Sequence, residues 1–241
     1  MQAALFGDSY RDFSAIIGWK DLHDANQRLG DNHEFTTLTP NLEGKDPDEA
    51  FSVVPYEKGY TFLSYLEAQV GKDKWSKYIP EYFKTFAKRS LTSTEFKDHV
   101  LSYFASDSLA RAALDAVKWE QWFHTPGLPP KPAYDTTLAD VCYDLAAKWA
   151  TPDYSPAESD LAGWKAKQIV VFLNSVKDFE RPLDKERVRL MGHTYKFLES
   201  KNVEVTSRFF SIGLKSRLES VYRLTAELLG NVGRMKFVRP L

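Results

Sequence analysis

Cysteine is almost missing from this sequence: 241 residues carry one thiol, Cys142. A lone cysteine closes no disulfide within the chain, and no Cys/His cluster has the short spacing of a zinc site. Cys142 lies in the helical stretch LADVCYDLAAKW and reads as a buried, inert thiol. An excess of one charge is missing as well. Lys and Arg number 32 against 33 Asp and Glu, a formal net charge of −1. That balance removes the electrostatic case for nucleic acid or for an anionic membrane, both of which need concentrated positive charge. Basic clusters such as KTFAKR have acids nearby and read as solvated helix faces. No uncharged apolar run approaches the ~20 residues of a membrane span. The apolar run before Asp8 is too short for the core of a signal peptide. The expected compartment is the cytoplasm, with the nucleus also open to such a chain.

Catalytic signatures are lacking too. The five histidines, His23, His33, His99, His124 and His193, are widely scattered. His33-Glu34 is followed by Phe35-Thr36-Thr37, so it does not form an H-E-x-x-H helix. There is no glycine-rich phosphate loop and no G-x-S-x-G elbow. On its residues alone the chain has no complete catalytic set.

What is present is helical periodicity. PYEKGYTFLSYLEAQVG places Gly59, Leu63, Leu66 and Val70 on one stripe and stops at Gly71, with Pro55 at the first helical position. LTSTEFKDHVLSYF opens with Thr92 and, three residues on, Glu95, a capping box, and turns Phe96, Val100 and Phe104 inward. DKERVRLMGHTYKFLES repeats apolar groups at Val188, Met191, Tyr195 and Leu198. Further helices are expected over 8–17, 20–29, 73–88, 107–123, 136–150, 158–177, 203–215 and 217–230. Strand-like alternation is confined to 35–42 and 51–54. The expected class is all-α. WFHTPGLPPKPAYD, with four prolines and a glycine, cannot continue either flanking helix. It divides the chain into a helical region 1–123, a linker 124–134 and a helical array 135–241, in which helices follow one another through short connections.

Three fragments could carry chemistry. Tyr56 sits at a helix start, where a neutral phenol and the helix N-terminus together suit an oxyanion; the plainer reading is a ring packed on a neighbouring helix. Asp48, in EGKDPDEAF, could face a cleft and bind a cation or a hydroxyl, or simply belong to an Asp-Pro-Asp turn in which aspartate bonds its own backbone. Arg234 and Lys236, in GNVGRMKFVRPL, point to one side if the segment is extended and would suit a carboxylate. A solvated basic tail is the alternative.

In this order and at this spacing, FSVVPYEKGYTFLSYLE, WFHTPGLPPKPAYD and GRMKFVRPL resemble the leukotriene A4 hydrolase branch of the M1 zinc aminopeptidases, in a form close to the fungal members. LFGDSYRDFSAIIGW and HEFTTLTPNLEGKDPDEAF support the likeness, which runs from about Leu5 to Leu241. The resemblance implies the helical lobe of a thermolysin-like catalytic domain followed by an α-α superhelical, armadillo-like domain. In that family H-E-x-x-H and a glutamate hold zinc, the metal activates water, and a tyrosine stabilises the oxyanion. Tyr56 matches that tyrosine, Asp48 an aspartate of the substrate pocket, and Arg234 and Lys236 the pair that holds the carboxylate of a peptide or a lipid epoxide.

The sequence opens just after the place of the zinc-binding helices, so the zinc ligands, the general base and the G-x-M-E-N element are not in it. Phe51 stands where vertebrate hydrolases carry a second tyrosine, which favours peptide cleavage over epoxide hydrolysis. The implied function is removal of N-terminal residues from peptides by a zinc enzyme. The chain alone is expected to hold no zinc and to cleave nothing unless a separate zinc-binding half joins it. The competing expectation is a non-enzymatic helical module that binds protein partners.

Overall fold

The computed structural model describes residues 5–241; the apolar run before Asp8 lies partly outside them. Among the described residues the chain is helical, with no strand, as the periodicity requires. None of these helices is long and apolar enough to cross a membrane. Contacts divide the molecule into two compact units. One is Ile17–Ala133; the other is Tyr134–Leu241 together with the described residues up to Ile16.

Helix α1, Asp8–Leu29, begins in the second of these units and ends in the first. Two helices were expected there, divided near Gly18. A helical glycine costs only about 1 kcal/mol relative to alanine, and its bare Cα serves close packing. A Cβ at Gly18 would lie 1.9 Å from Glu57 Oε2.

Within Ile17–Ala133 the remaining helices are α2 (Pro47–Ala50), α3 (Val54–Val70), α4 (Lys72–Thr85), α5 (Ser93–Tyr103), α6 (Ser108–Asp115) and α7 (Trp119–His124). The strand-like stretch 35–42 instead begins with a 3-10 turn, Glu34–Thr36, capped by the His33 ring. The stretch 51–54 runs directly into α3, so neither finds a ladder partner. The single helix expected over 107–123 is two. Asp107 caps the first by accepting from Ala110 N at 3.1 Å, and Trp119 Nε1 donates to Leu114 O at 3.0 Å, closing the carbonyl end of α6 as α7 begins. The capping box before α5 is present: Glu95 N donates to Thr92 Oγ1 at 3.2 Å and Thr92 N to Glu95 Oε2 at 2.7 Å.

The core of this unit gathers Phe62, Leu66, Trp75, Tyr78, Val100, Leu114 and Trp119, with aromatic rings in edge contact such as Phe62 on Trp119. The inward stripe of α3 differs from the expected one. Leu63 is 40% exposed, while Val54, Lys58, Thr61, Phe62, Leu66 and Val70 are buried.

In the other unit, α8 (Thr137–Trp149), α9 (Ala166–Lys177), α10 (Lys185–Thr194), α11 (Val203–Lys215), α12 (Ser220–Asn231) and α13 (Met235–Val238) follow in order. Helix α9 packs against α8 and α11, and α11 against α10 and α12, a succession of helices stacked on their neighbours. The segment 158–177 is a 3-10 turn, Glu158–Leu161, and then α9, separated at Gly163, whose φ of +75° only glycine adopts without strain. The helix expected over 184–200 ends at Thr194, because Lys196 turns left-handed at φ +56° before a last 3-10 turn. Cys142 is buried and burial pushes its thiol up to about 12, the state of an inert group.

The loop after α8 is held by two polar centres. The Asp160 carboxylate accepts from Tyr154 Oη at 2.6 Å, Tyr195 Oη at 2.8 Å and Ala157 N at 2.8 Å. Burial pushes its pKa up, but those donors outweigh the effect and leave it below the usual carboxylate range. Arg187, half-buried, donates to the carbonyls of Trp149, Thr151 and Tyr154 at 3.4, 3.0 and 2.8 Å, with its guanidinium 4.9 Å from the Trp149 ring centroid.

Candidate functional site

The first turn of α3 is where the fold exposes a phenol. Val53 is the N-cap and makes no side-chain cap bond; Ser52 Oγ accepts from Val54 N at 3.2 Å. Val54 is therefore the first helical residue and Pro55 the second, one position later than the sequence suggested. Tyr56 N and Glu57 N both donate to Val53 O, at 3.1 and 3.0 Å, so the turn is regular. Val54 is fully buried with Leu22 and Ala25. Tyr56 is 63% exposed, so its ring is not the packed one that the plainer local reading supposed. Nearby Phe51 is 72% exposed.

Lys58 is the opposite case. It is 2% exposed, and its Nζ donates to Thr36 O at 2.8 Å, Thr125 O at 2.8 Å and Gly127 O at 2.9 Å. Burial pushes its pKa down to about 8. The two carbonyl-bearing segments are also joined directly: Gly127 N donates to Thr36 Oγ1 at 2.8 Å, and Thr36 Oγ1 to His33 O at 2.6 Å. Sequence reasoning passed over Lys58. The available signal was its place four residues after Val54 and four before Phe62, on the apolar stripe rather than beside it.

Asp48 is exposed in α2, and its N–H donates to Asp46 Oδ1 at 2.9 Å. The Asp-Pro-Asp turn is thus formed by Asp46, which leaves the Asp48 carboxylate facing solvent. Asp48 and Tyr56 belong to the unit Ile17–Ala133, Arg234 and Lys236 to the other. The C-terminal segment is not extended: Arg234 is the N-cap of the one-turn helix α13, and its carbonyl accepts from Phe237 N and Val238 N. Buried Phe237 draws the turn inward and replaces the alternation on which the pairing of Arg234 and Lys236 was argued. Arg234 is exposed. Lys236 Nζ donates to Glu204 Oε1 at 2.9 Å, and the same carboxylate takes Arg208 Nη1 at 2.7 Å. Burial raises the Glu204 pKa, but the two cations outweigh it and hold the group ionised. An ammonium has three N–H groups, so Lys236 keeps capacity for a further acceptor.

Among the described residues, no group of three or more His, Cys, Asp or Glu side chains could hold a metal ion. These residues do not form a zinc site by themselves.

Two family models match stretches of this chain. Residues 16–122 match the model of the peptidase family M1 domain, and residues 164–241 that of the leukotriene A4 hydrolase C-terminal domain. The chain belongs to the leukotriene A4 hydrolase group of the M1 peptidases. It is 56% identical over 239 residues to leucine aminopeptidase 2 of Sclerotinia sclerotiorum, covering 99% of this chain and 39% of that protein. It is also 56% identical to a leukotriene A-4 hydrolase homolog of Botryotinia fuckeliana, covering 99% of this chain and 37% of the relative. Among solved structures, yeast LTA4 hydrolase in complex with bestatin superposes with a TM-score of 0.87 at 35% identity, over 99% of this chain and 42% of the other. The chain therefore spans about two fifths of the length of the relatives it matches.

Proposed function

We propose that this chain is the C-terminal part of an aminopeptidase that removes N-terminal residues from peptides, and that Tyr56 supplies a hydrogen bond to the oxyanion formed at the scissile carbonyl. The observation that carries this reading is Tyr56 itself, 63% exposed on a helix turn whose flanking residues Val54 and Lys58 are buried. A phenol donates one hydrogen bond, and fixed donors aimed at developing negative charge are worth several kcal/mol in a transition state. Arg234 and the remaining N–H groups of Lys236 would take a substrate carboxylate, and Asp48 polar groups of the substrate. Zinc is the family's metal; the described residues offer no site for it, so its ligands would come from residues outside this sequence. With Phe51 in the place of a second tyrosine, peptide cleavage is the proposed activity rather than epoxide hydrolysis.

The test is Tyr56→Phe in a zinc-loaded enzyme that contains this sequence. The expected result is a fall in kcat of roughly 10²- to 10³-fold on an aminoacyl chromogenic amide at nearly constant KM. Full activity of that variant overturns the assignment. The chain by itself, given zinc, is expected to show no turnover.

A further inference from the structure

We propose that Lys58 is a positioning residue for Tyr56: its buried amine gathers the carbonyls of Thr36, Thr125 and Gly127 and so fixes the helix turn that presents the phenol. The inference rests on the proposed role of Tyr56 and adds what holds it in place.

Four observations lead to it. First, α3 starts without a side-chain bond from its N-cap, and the one local side-chain bond, Val54 N to Ser52 Oγ at 3.2 Å, holds only the first helical amide, so the rest of the turn draws its order from neighbours. Second, those neighbours are present: Val54 is buried, Glu57 lies over the bare Cα of Gly18, and Lys58 is bound to three carbonyls. Third, the three N–H groups of an ammonium meet three acceptors. None is left for a substrate, which makes Lys58 a holder of structure and not a group that touches the reaction. Fourth, two residues along a helix of 3.6 residues per turn are about 200° apart, so Lys58 facing inward sends Tyr56 outward. Any rotation of the turn about its axis carries the phenol with it. The link between Thr36 Oγ1 and Gly127 N closes the cradle independently of the lysine, so the three acceptors are assembled around a fixed point. Burying a charge is costly unless it is hydrogen-bonded on all sides, and here the count of donors and acceptors agrees. The lowering of the Lys58 pKa by burial fits an amine enclosed in this way.

The experiment places 3-fluorotyrosine at position 56 of this chain and compares the parent with Lys58→Met, folding being followed by circular dichroism. In the folded variant the fluorine signal is expected to shift and narrow. Exchange of the Tyr56 and Glu57 amides is expected to accelerate at least tenfold, while amides of α5 stay within twofold. A folded variant with the fluorine signal and both amides unchanged overturns the proposal. Should Lys58→Met fail to fold, Lys58→Arg gives the second reading. Its planar fork cannot converge on one point, so the same change is expected in smaller measure, and an unmoved signal overturns the proposal.

In the zinc-loaded enzyme, Lys58→Met is expected to lower kcat at constant KM and to add nothing to the loss of Tyr56→Phe. A multiplied loss in the double variant would mean that Lys58 acts apart from Tyr56, and overturns the positioning role. Failure of the Tyr56 assignment is visible separately, as full activity of Tyr56→Phe.

Discussion

Each unit of the molecule contains a cation that collects three backbone carbonyls, and the two do it differently. Lys58 takes carbonyls from residues 22, 67 and 69 positions away, in segments that meet at one point around a buried amine. Arg187 takes carbonyls at Trp149, Thr151 and Tyr154, all from the end of α8 and the loop behind it, and rests its plane on the Trp149 ring. A compact point charge suits acceptors that converge; a planar fork suits acceptors strung along a chain end. The lysine ties together segments that are distant from one another, whereas the arginine, itself 33 to 38 residues further on, grips a single turn.

The largest expected effect separates these two roles. Lys58→Met removes the donor and leaves three carbonyls facing an apolar stem, which is expected to destabilise the unit Ile17–Ala133 by about 3–5 kcal/mol in urea titrations. A loss below 1 kcal/mol would show that the carbonyls find water instead. The second effect is on pH. The ordinary lysine pKa of 10.5 falls to about 8 in the fold, so below pH 8 both folded and unfolded states are charged and the full cost of the buried charge is present. Between about 8 and 10.5 the unfolded chain keeps a proton that the folded chain has released, so stability from this group rises with pH, by about 3 kcal/mol in all. Urea midpoints of parent and Lys58→Met measured across that window are expected to diverge in this direction; parallel curves would refute the shift.

Arg187→Lys comes next. One ammonium cannot span the three carbonyls or lie flat on Trp149, and a loss of about 1–2 kcal/mol in the unit containing α8 is expected from thermal melts. An unchanged melt would mean that the fork geometry is irrelevant. The smallest effect is the local, uncharged counterpart. Thr92→Ala removes one half of the capping box of α5 and is expected to cost about 1 kcal/mol, which sets the scale for a cap that ties nothing distant.

The same contrast explains what the sequence made legible. Local devices could be read in advance: the Thr92–Glu95 box, the inward Val100 and Phe104, and the existence of most helices rest on patterns within one or two turns. Breaks that depend on one residue's backbone, at Lys196 and Gly163, were run through as continuous helix, since periodicity carries across them unaltered. The burial of Lys58 was not legible because its acceptors lie far away in the chain, and a lysine scores as polar wherever it falls. The candidate site divides likewise. Asp46 bonding the backbone of Asp48 follows from the local dipeptide, and the turn is there. Tyr56 could be given chemistry only through distant motifs, and the extended reading of Arg234 and Lys236 failed because the burial of Phe237 winds that segment into a turn.

The grouping of the described residues up to Ile16 with Tyr134–Leu241 has a bearing on synthesis. Ser9 Oγ donates to Asp135, Asp135 N to Asp12, and Lys167 to Ser14, contacts that join positions 126, 123 and 153 residues apart. At roughly 5–20 residues per second on the ribosome, the early partners wait on the order of ten seconds for the late ones. The unit Ile17–Ala133 can close in that interval, so the segment just before it settles only after its partners from Tyr134 onward have been made.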